Sequence, residues 1–218
     1  MPRALIDVRP MEPGEVPALA VLEAAAWPGP LQAREDLIRR RLALGHIMIV
    51  AAAADHLAAA ACVIPTVELP FDPVQFPRDF EHFSSLPRTA PVNSIYAYNL
   101  CVHPAHRGET AAREIIQLGI TTARGMGARW LVGDGRCPSY AGTDGEGPDK
   151  VRADPKFRAA LDAWAATGER PSVATLIRDP VLRFYYRMLD CQFLHLAWNF
   201  LPQDTSSGGH RVIFAKTL

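Results

Sequence analysis

The sequence has 218 residues, and its 23 basic side chains balance its 23 acidic ones. With a hydrophobic share of 49%, a chain of this length can bury the core of one domain, or of a domain with an insertion, without a metal or disulfide staple. The balanced charge gives no overall field that would attract nucleic acid, so nucleic acid is not expected as the main partner.

The cysteine and hydropathy patterns predict a protein with reduced cysteine thiols and no membrane-spanning segment. Cys62, Cys101, Cys137 and Cys191 lie far apart, without CxxC spacing and without histidines spaced as zinc ligands. The amino-terminal residues have no apolar core of signal-peptide length, and the longest apolar run, 47–54, is too short to span a bilayer. We therefore expect a soluble, cytoplasmic protein with no metal and no membrane partner.

The first part of the chain is predicted to hold three strands and two helices before a proline-rich loop. The strands are Leu5–Arg9, His46–Ala53 and His56–Thr66, and the helices are Glu15–Trp27 and Gln32–Leu44. Only two residues separate the two longer strands, which predicts an antiparallel hairpin. Several prolines without periodicity predict a long loop or a short irregular insertion over Glu68–Val92, a kind of segment that often covers a binding site.

The second part is predicted to open with a strand, a helix and a strand that form a βαβ unit, whose two strands are parallel. These elements are Ser94–His103, Thr110–Met126 and a strand that begins over Trp130–Gly133. A glycine-rich loop, two helices and two strands are predicted to follow. They are the loop Arg136–Lys150, the helix Pro155–Thr167, a helix capped by Asp179 and Pro180, and the strands Gln192–Phe200 and His210–Lys216.

The stretch Asn99–Ile116, NLCVHPAHRGETAAREII, turns a strand sharply into a helix. Such a turn points several unpaired backbone N–H groups at one place, and the small residues within Arg107–Ala112 allow an anion to approach closely. The spacing is neither the dinucleotide fingerprint GxGxxG nor the P-loop GxxxxGK[ST]. We therefore interpret the turn as a site for a pyrophosphate group.

The sequence resembles the GNAT superfamily of acyl-CoA-dependent acyltransferases. The central motif of that family reads Arg or Gln, two residues, Gly, one residue, and then Gly or Ala, and Arg107, Thr110 and Ala112 stand at its three marked positions. The order of predicted elements matches as well. The resemblance implies an α/β fold in which helices flank a mixed, mostly antiparallel sheet with splayed fourth and fifth strands. It also implies a single domain over 1–218, with an inserted loop and helix at about 136–177.

The resemblance further implies that acetyl-CoA or another acyl-CoA is the co-substrate. By that resemblance, the backbone of Leu100, Cys101 and Val102 would bind the pantetheine arm as a neighbouring strand would. The diphosphate would be bound by residues of the motif turn. These are Arg107, Gly108, Glu109, Thr110, Ala111 and Ala112. Thr110 replaces the usual glycine of the motif, and Glu109 brings a carboxylate close to the expected phosphate position.

Candidate catalytic residues come from the late helix and from the strand ends. Tyr185 matches a tyrosine that commonly protonates the departing CoA thiolate in this family, and Tyr186 is next in line. A phenol with a pKa near 10 can donate to a thiolate within hydrogen-bond reach, although an aromatic pair in an apolar helix can equally pack a core. Asp134 and His103 are candidate general bases and could face the acceptor, while Asp134 could instead cap a turn.

Three segments are similar to GNAT-like domains that load starter acyl groups in polyketide assembly. They are AAAWPGPLQAREDLIRRRLALGHIMIVA, RDPVLRFYYR and LPQDTSSGGHRVIFA. Trp27 matches an aromatic residue of the acyl pocket in that group, or else is a core residue at a helix end. Two positions depart from the decarboxylating members: Tyr185 or Tyr186 replaces a histidine, and Leu201 replaces a basic residue.

These observations predict transfer of an acyl group, most simply acetyl, from CoA to a small-molecule amine or to the phosphopantetheine thiol of an acyl carrier protein. Two alternatives stay open: a decarboxylase acting on malonyl-CoA or methylmalonyl-CoA, and a non-catalytic GNAT-like binding module. The sequence leaves the acceptor and the oligomeric state undetermined, with a homodimer as one option.

Overall fold

The computed structural model describes residues 6–27, 29–67, 79–143 and 150–218. The chain forms two compact units. The first unit contains the described residues up to 68, together with 84–131 and 218. The second contains the described residues of 69–83 together with 132–217. The boundary at 131 and 132 falls inside a strand, so that strand contributes to both units.

The described residues contain seven strands and seven α-helices, joined by short 3-10 turns. The strands are β1 Asp7–Pro10, β2 Ile47–Ala52, β3 Leu57–Thr66, β4 Ser94–Val102, β5 Trp130–Arg136, β6 Gln192–Ala197 and β7 Arg211–Thr217. The helices are α1 Val16–Ala26, α2 Glu35–Ala43, α3 Phe80–Ser84, α4 Glu109–Gly125, α5 Pro155–Thr167, α6 Val173–Leu176 and α7 Pro180–Leu189.

The strands form one mixed sheet in the order β1-β2-β3-β4-β5-β7-β6. The pairs β1–β2, β2–β3, β3–β4 and β6–β7 are antiparallel, and β4 and β5 are the parallel pair. The predicted α/β class, with a mostly antiparallel mixed sheet flanked by helices, is therefore confirmed. The splay of the fourth and fifth strands and the single-domain organisation remain predictions.

In the first unit, α4 packs on a layer of small side chains from the sheet. Ala51 of β2 and Ala59 and Ala61 of β3 lie in one buried cluster with Ala111 and Ile115 of α4. Alanine side chains let a helix approach the strands closely, and close packing keeps the helix position well defined. The start of α4, where the motif lies, is thereby fixed relative to β4.

In the second unit, α7 begins as the sequence predicts. The Asp179 carboxylate accepts the Val181 and Leu182 N–H groups at 2.8 and 3.2 Å, and Pro180 occupies the first turn. Asp179 also accepts the Ser139 N–H at 2.8 Å, which ties the loop after β5 to this helix. The cap orients α7, which carries Tyr185 and Tyr186.

The predicted elements are found, but the short helices α3 and α6 were not predicted, and several element ends differ. The hairpin is confirmed, with a register shift between Ala51 and Ala52, and α5 has the predicted bounds. The prediction of irregular structure over Glu68–Val92 is wrong for 80–84, which form α3. The Phe83 side chain of this helix is buried, with 1% of its surface exposed. The Phe80 N–H donates to the Phe200 carbonyl at 2.9 Å.

The helix predicted over Gln32–Leu44 begins at Glu35, and two strand ends differ as well. The strand predicted to begin at Trp130 continues through Asp134 to Arg136. The strand predicted to end at Phe200 ends at Ala197 because a turn follows it. The rest of the predicted Glu68–Val92 segment at 68–78, and 144–149 within the predicted glycine-rich loop, lie outside the described residues. None of the described helices is long and apolar enough to cross a membrane.

Candidate active site

The motif turn joins β4 to α4 through the short 3-10 turn Pro104–His106. Gly108 precedes α4 as its N-cap and has no side chain to accept the N–H groups of the first helical turn. A Cβ built on Gly108 would meet no atom within 4 Å, so the space beside this N-cap is open. The N-terminal end of a 17-residue helix favours an anion.

The predicted motif residues divide between the surface and the core. Arg107 and Gly108 are exposed, and Thr110 is half-buried in the first turn of α4. Ala111 and Ala112 are 2% and 4% exposed, so these two contribute backbone and close packing rather than side-chain contacts to a ligand. The Glu109 side chain lies outside the described part of the structure.

Histidines connect the motif turn to the β2–β3 hairpin. His56 Nε2 lies 2.8 Å from His106 Nε2, and His56 Nδ1 lies 2.6 Å from the Asp55 carboxylate. Because a carboxylate only accepts, Nδ1 of His56 carries a proton and His106 donates to His56 in the neutral pair. His103 Nδ1 accepts the Ala105 N–H at 3.2 Å. These contacts position the residues that immediately precede Arg107.

The side chains of β4 alternate between two faces of the sheet. Leu100 and Val102 pack against the cluster beneath α4. Asn99 and Cys101 point the other way and donate hydrogen bonds to Glu23 of α1. The strand predicted to bind the pantetheine arm is thus held by a helix on each face.

Glu23 is a buried carboxyl group that the sequence interpretation missed. It is 1% exposed, and it accepts hydrogen bonds from the Ala33 N–H at 3.2 Å, the Asn99 amide and the Cys101 thiol at 3.6 Å. Burial raises the pKa of Glu23, while these donors and the charge of Arg41 oppose the rise. An acidic residue among the apolar residues of α1 is the sequence signal that could have identified it.

Trp27 follows α1 one helical turn after Glu23. It is half-buried, and its carbonyl accepts the Gln32 side-chain N–H at 3.1 Å. Trp27 is the C-cap of α1, with extended backbone dihedral angles, and its N–H donates to the Glu23 carbonyl at 3.0 Å. The structure therefore places the predicted acyl-pocket residue at the end of the helix that carries Glu23.

The first unit contains a second set of buried polar side chains that are joined by hydrogen bonds. Tyr98 O–H contacts His46 Nδ1 at 3.0 Å, and His46 Nε2 lies 2.8 Å from the Leu86 carbonyl. The carbonyl requires an N–H at Nε2, so Nδ1 accepts from the phenol. Burial and the Arg41 charge lower the pKa of His46. This histidine is consequently neutral and structural at physiological pH.

In the second unit, Tyr185 lies on the face of α7 that packs against β7. Its ring centroid is 4.7 Å from that of Phe214 and 5.4 Å from that of Phe184. Burial raises the pKa of Tyr185, and the negative charge of Asp134 raises it further. The phenol is therefore protonated at physiological pH and lies within the electrostatic reach of Asp134.

Asp134 faces a buried network of alternating charges. Its Oδ2 lies 3.9 Å from Arg211 Nε, and both side chains are 4% exposed. Arg211 Nη1 lies 2.8 Å from Asp204, which also accepts two bonds from Arg136 at 2.8 Å each. The two arginines and two aspartates balance, so no net charge is buried here. Arg136, Asp204 and Arg211 are site residues that the sequence interpretation missed.

Tyr186, Trp198 and His210 make ring-stacking contacts within the second unit. Tyr186 stacks on Phe193 with ring centroids 6.1 Å apart. His210 stacks on Trp198 at 3.6 Å, and its Nδ1 accepts the Asn199 N–H at 3.1 Å. Tyr186 thus fits the core-packing interpretation, whereas Tyr185 lies beside a charged group.

The predicted site residues fall into one group in each unit. The first unit contains Trp27, Leu100, Cys101, Val102, His103, Arg107, Gly108, Thr110, Ala111 and Ala112. The second contains Asp134, Tyr185 and Tyr186. Among the described residues, no three histidine, cysteine, aspartate or glutamate side chains are arranged to hold a metal ion.

Solved structures resemble this chain over nearly its whole length. A structure described as the GphF GNAT-like decarboxylase in complex with isobutyryl-CoA aligns with a TM-score of 0.70 and 22% identity, covering 97% of this chain and 98% of its own. The loading GNATL domain of CurA from Lyngbya majuscula aligns with a TM-score of 0.73 and 17% identity, covering 98% of both chains. This chain has the GNAT fold.

A more distant likeness agrees with that conclusion. The ribosomal-protein-S18-alanine N-acetyltransferase from Escherichia coli aligns with a TM-score of 0.54 and 13% identity over 98% of this chain and 94% of its own. No family model matches the sequence, and no curated protein matches it significantly. The predicted resemblance to GNAT proteins is thus confirmed at the level of the fold.

Proposed function

We propose that this chain is an acyl-CoA-dependent acyltransferase of the GNAT type. It transfers an acyl group, most simply acetyl, from CoA to an amine or to the phosphopantetheine thiol of a carrier protein. The observation that carries the proposal is the half-buried phenol of Tyr185, which packs on Phe214 and is subject to the charge of Asp134. The GNAT fold supports it, and solved GNAT structures include complexes described as containing isobutyryl-CoA and coenzyme A.

The first unit supplies the proposed coenzyme contacts. The diphosphate accepts hydrogen bonds from the N–H groups of the first turn of α4, and Arg107 adds a charge-assisted contact. The open space at Gly108 supports this assignment. The pantetheine arm pairs with the backbone of Leu100–Val102, whose position α1 and α4 stabilise from opposite faces.

The second unit supplies the proposed chemistry. The acceptor nucleophile attacks the thioester carbonyl carbon, a new C–N or C–S bond forms, and the bond to the coenzyme sulfur breaks. Tyr185 donates its O–H to the departing thiolate, and Asp134 is the candidate that takes the proton from the acceptor. Because the pKa of Tyr185 is raised, complete proton transfer becomes harder, and the hydrogen bond carries most of the thiolate stabilisation.

Calorimetry with acetyl-CoA, malonyl-CoA and free CoA tests the proposal directly. We expect saturable heat with acetyl-CoA, and release of free CoA thiol when an amine or a pantetheine thiol is added. Absence of heat with all three ligands, from protein that circular dichroism shows to be folded, would favour the non-catalytic module. The substitution of the usual motif glycine by Thr110 is the observation behind that alternative.

A decarboxylase is the second candidate, because one of the similar structures is described as a GNAT-like decarboxylase. Stabilising the enolate would need a cationic or hydrogen-bonding group to accept its charge. Leu201 stands at the position expected to be basic, and Arg136 and Arg211 already share Asp204. Release of carbon dioxide from malonyl-CoA, without any added acceptor, would establish this activity in place of simple transfer.

A further inference from the structure

The pair Asn99–Glu23 lies on the α1 face of β4, and neither residue has a role in the mechanism above. Asn99 is half-buried and Glu23 is 1% exposed. The Asn99 side-chain N–H donates to Glu23 Oε1. Within the described part of the chain, Glu23 is the one hydrogen-bond partner of the Asn99 side chain.

The surroundings of Glu23 determine which way the Asn99 amide faces. Glu23 receives the Ala33 N–H on Oε2 and the Cys101 thiol on Oε1. With the Ala33 N–H on one oxygen and the Cys101 thiol on the other, both oxygens of the ionised carboxyl group act as acceptors. Asn99 must therefore present its NH₂ group to Glu23 and turn its carbonyl oxygen the opposite way.

The carbonyl oxygen of Asn99, a half-buried residue of β4, is thus an oriented acceptor. The next residues of this strand, Leu100–Val102, are the ones proposed to pair with the pantetheine arm. Trp27 is the C-cap of α1, and its N–H donates to the Glu23 carbonyl. An acceptor molecule bound on this face of β4 would meet a C=O group of fixed orientation beside the proposed pantetheine contacts.

We propose that Asn99 binds the acyl acceptor through an N–H group, and that Glu23 is the positioning residue that holds Asn99 in this orientation. The inference rests on the proposed acyl transfer. The acceptor is then a molecule with an N–H donor at or near its nucleophilic atom. Both an amine and the amide-bearing arm of phosphopantetheine have such a donor, whereas a simple thiol without N–H does not.

Substituting either residue should weaken recognition of the acceptor and leave coenzyme binding unchanged. Asn99→Leu removes the oriented carbonyl at similar volume. Glu23→Gln replaces one acceptor oxygen by an NH₂ group, which turns the Asn99 amide around and presents its NH₂ group to the acceptor. We expect both variants to lose about 10- to 100-fold in kcat/KM for acceptors with N–H, and the double variant to lose little more than either single one.

The experiment measures acetyl transfer from acetyl-CoA to three probes. Pantetheine is a thiol with amide N–H groups, butylamine is an amine, and methyl 3-mercaptopropionate is a thiol without N–H. The loss in kcat/KM should appear with pantetheine, with butylamine or with both. Loss with pantetheine alone indicates a carrier-protein arm as acceptor, and loss with butylamine alone indicates an amine. Transfer to methyl 3-mercaptopropionate and the Kd for acetyl-CoA should stay within about two-fold of wild type.

Two control variants make the same chemical changes elsewhere in the first unit. Asn93→Leu alters a residue before β4 that bonds Thr66 and Arg129 through its main chain. Glu35→Gln alters an exposed residue of α2 that pairs with Arg39. Neither control should change kcat/KM for any probe. Asn99→Ala, which leaves room for a water molecule beside Glu23, replaces Asn99→Leu if circular dichroism shows that the leucine variant is unfolded.

Failure of the inference and failure of the proposed function give different results. If wild type does not bind acetyl-CoA, the proposed function fails. If wild type binds acetyl-CoA but transfers to neither N–H probe, the acceptor assignment is overturned. If it transfers to them and the Asn99 variants retain wild-type kcat/KM, the role of Asn99 is overturned. Equal loss with all three probes would also overturn it, because that pattern indicates structural damage to β4.

Discussion

Arg136 and Asp204 form a two-bond ion pair in the second unit, with Nε–Oδ2 and Nη2–Oδ1 distances of 2.8 Å each. Arg211 adds a third contact to the same carboxylate at 2.8 Å, and Ser206 donates to it at 2.8 Å. Asp204 is 2% exposed. Because Arg211 also faces Asp134, this carboxylate holds the arginine beside the proposed base.

Asp204→Asn should destabilise the protein strongly. The substitution replaces the carboxylate that both guanidinium groups share by a neutral amide and leaves Asp134, 3.9 Å from Arg211, as a charged neighbour. Breaking such a pair costs about 3–5 kcal/mol. Urea unfolding at pH 7 measures the loss in the free energy of unfolding. Glu35→Gln makes the same chemical change in an exposed pair with Arg39 and should cost no more than about 0.5 kcal/mol. Similar losses in the two variants would contradict the role given to this network.

The contribution of Asp204 to stability should disappear in acid. Burial raises the pKa of Asp204, but the hydrogen bonds and charges of Arg136 and Arg211 outweigh burial and hold it well below its usual value. As the pH falls, Asp204 is therefore protonated in the unfolded chain, where an aspartate has a pKa of about 3.9, before it is protonated in the folded protein. The stabilisation is complete above about pH 4 and is lost as the pH falls further.

Unfolding curves of wild type and Asp204→Asn at pH 7, 5 and 3 test the direction of this pH dependence. The difference between their free energies of unfolding should be the same at pH 7 and pH 5 and smaller at pH 3. A difference that does not change over this range would mean that the pKa of Asp204 is the same in the folded and the unfolded protein.

His210 should make the protein less stable as the pH falls from about 6.5 to 4. Burial lowers the pKa of His210 to about 4, while the unfolded histidine has a pKa of about 6.5. The unfolded chain binds the proton first in this interval, so stability rises with pH there. In His210→Gln, the loss in the free energy of unfolding between pH 6.5 and 4 should be smaller than in wild type by about 1–2 kcal/mol. An unchanged slope in His210→Gln would contradict this assignment.

Local patterns were enough to predict most of the fold. The cap at Asp179 and Pro180 marks the start of α7, because a carboxylate that accepts two N–H groups and a proline in the first turn are local signals. The hairpin follows from two apolar runs separated by a short polar turn. The short helix α3 was missed because its stabilising contact, from Phe80 to Phe200, joins residues far apart in the sequence.

The site was predictable only where its residues lie in local motifs. Arg107–Ala112 and Tyr185 belong to such motifs and were identified. Glu23 was missed because its partner Asn99 lies 76 positions away. Asp204 was missed as a site residue because its arginine partner Arg136 lies 68 positions away. Single-sequence patterns contain no information on such pairings, which depend on how the strands and helices are arranged in space.

Arg107→Ala should weaken coenzyme binding. Arg107 is exposed and precedes the N-cap of α4, so its side chain lies at the end of the helix where the diphosphate is proposed to bind. Loss of one charge-assisted contact corresponds to about 1.5–3 kcal/mol, or roughly a 10- to 100-fold higher Kd for acetyl-CoA. Calorimetry measures this change. Arg124→Ala, at the opposite end of the same helix, should leave the Kd unchanged, and equal effects of the two substitutions would contradict a site at the motif turn.

Tyr185→Phe should abolish most turnover while acetyl-CoA still binds. The phenylalanine ring retains the packing against Phe214 and Phe184 and removes only the O–H donor. Loss of a general acid typically lowers the rate by about 10²- to 10⁴-fold, and the Kd for acetyl-CoA should stay within about two-fold. Tyr186→Phe is the matched control, because Tyr186 stacks on Phe193 and should keep its activity.

A change of leaving group separates proton donation from a purely structural role of Tyr185. An aryl thioester releases a thiol of much lower pKa, which departs without help from a proton donor. With the aryl thioester as acyl donor, Tyr185→Phe and wild type should react at similar rates. With acetyl-CoA, the variant should be slower by the whole factor expected for loss of the general acid. If the substitution slows both donors equally, Tyr185 supports the fold of α7 and another group stabilises the departing sulfur.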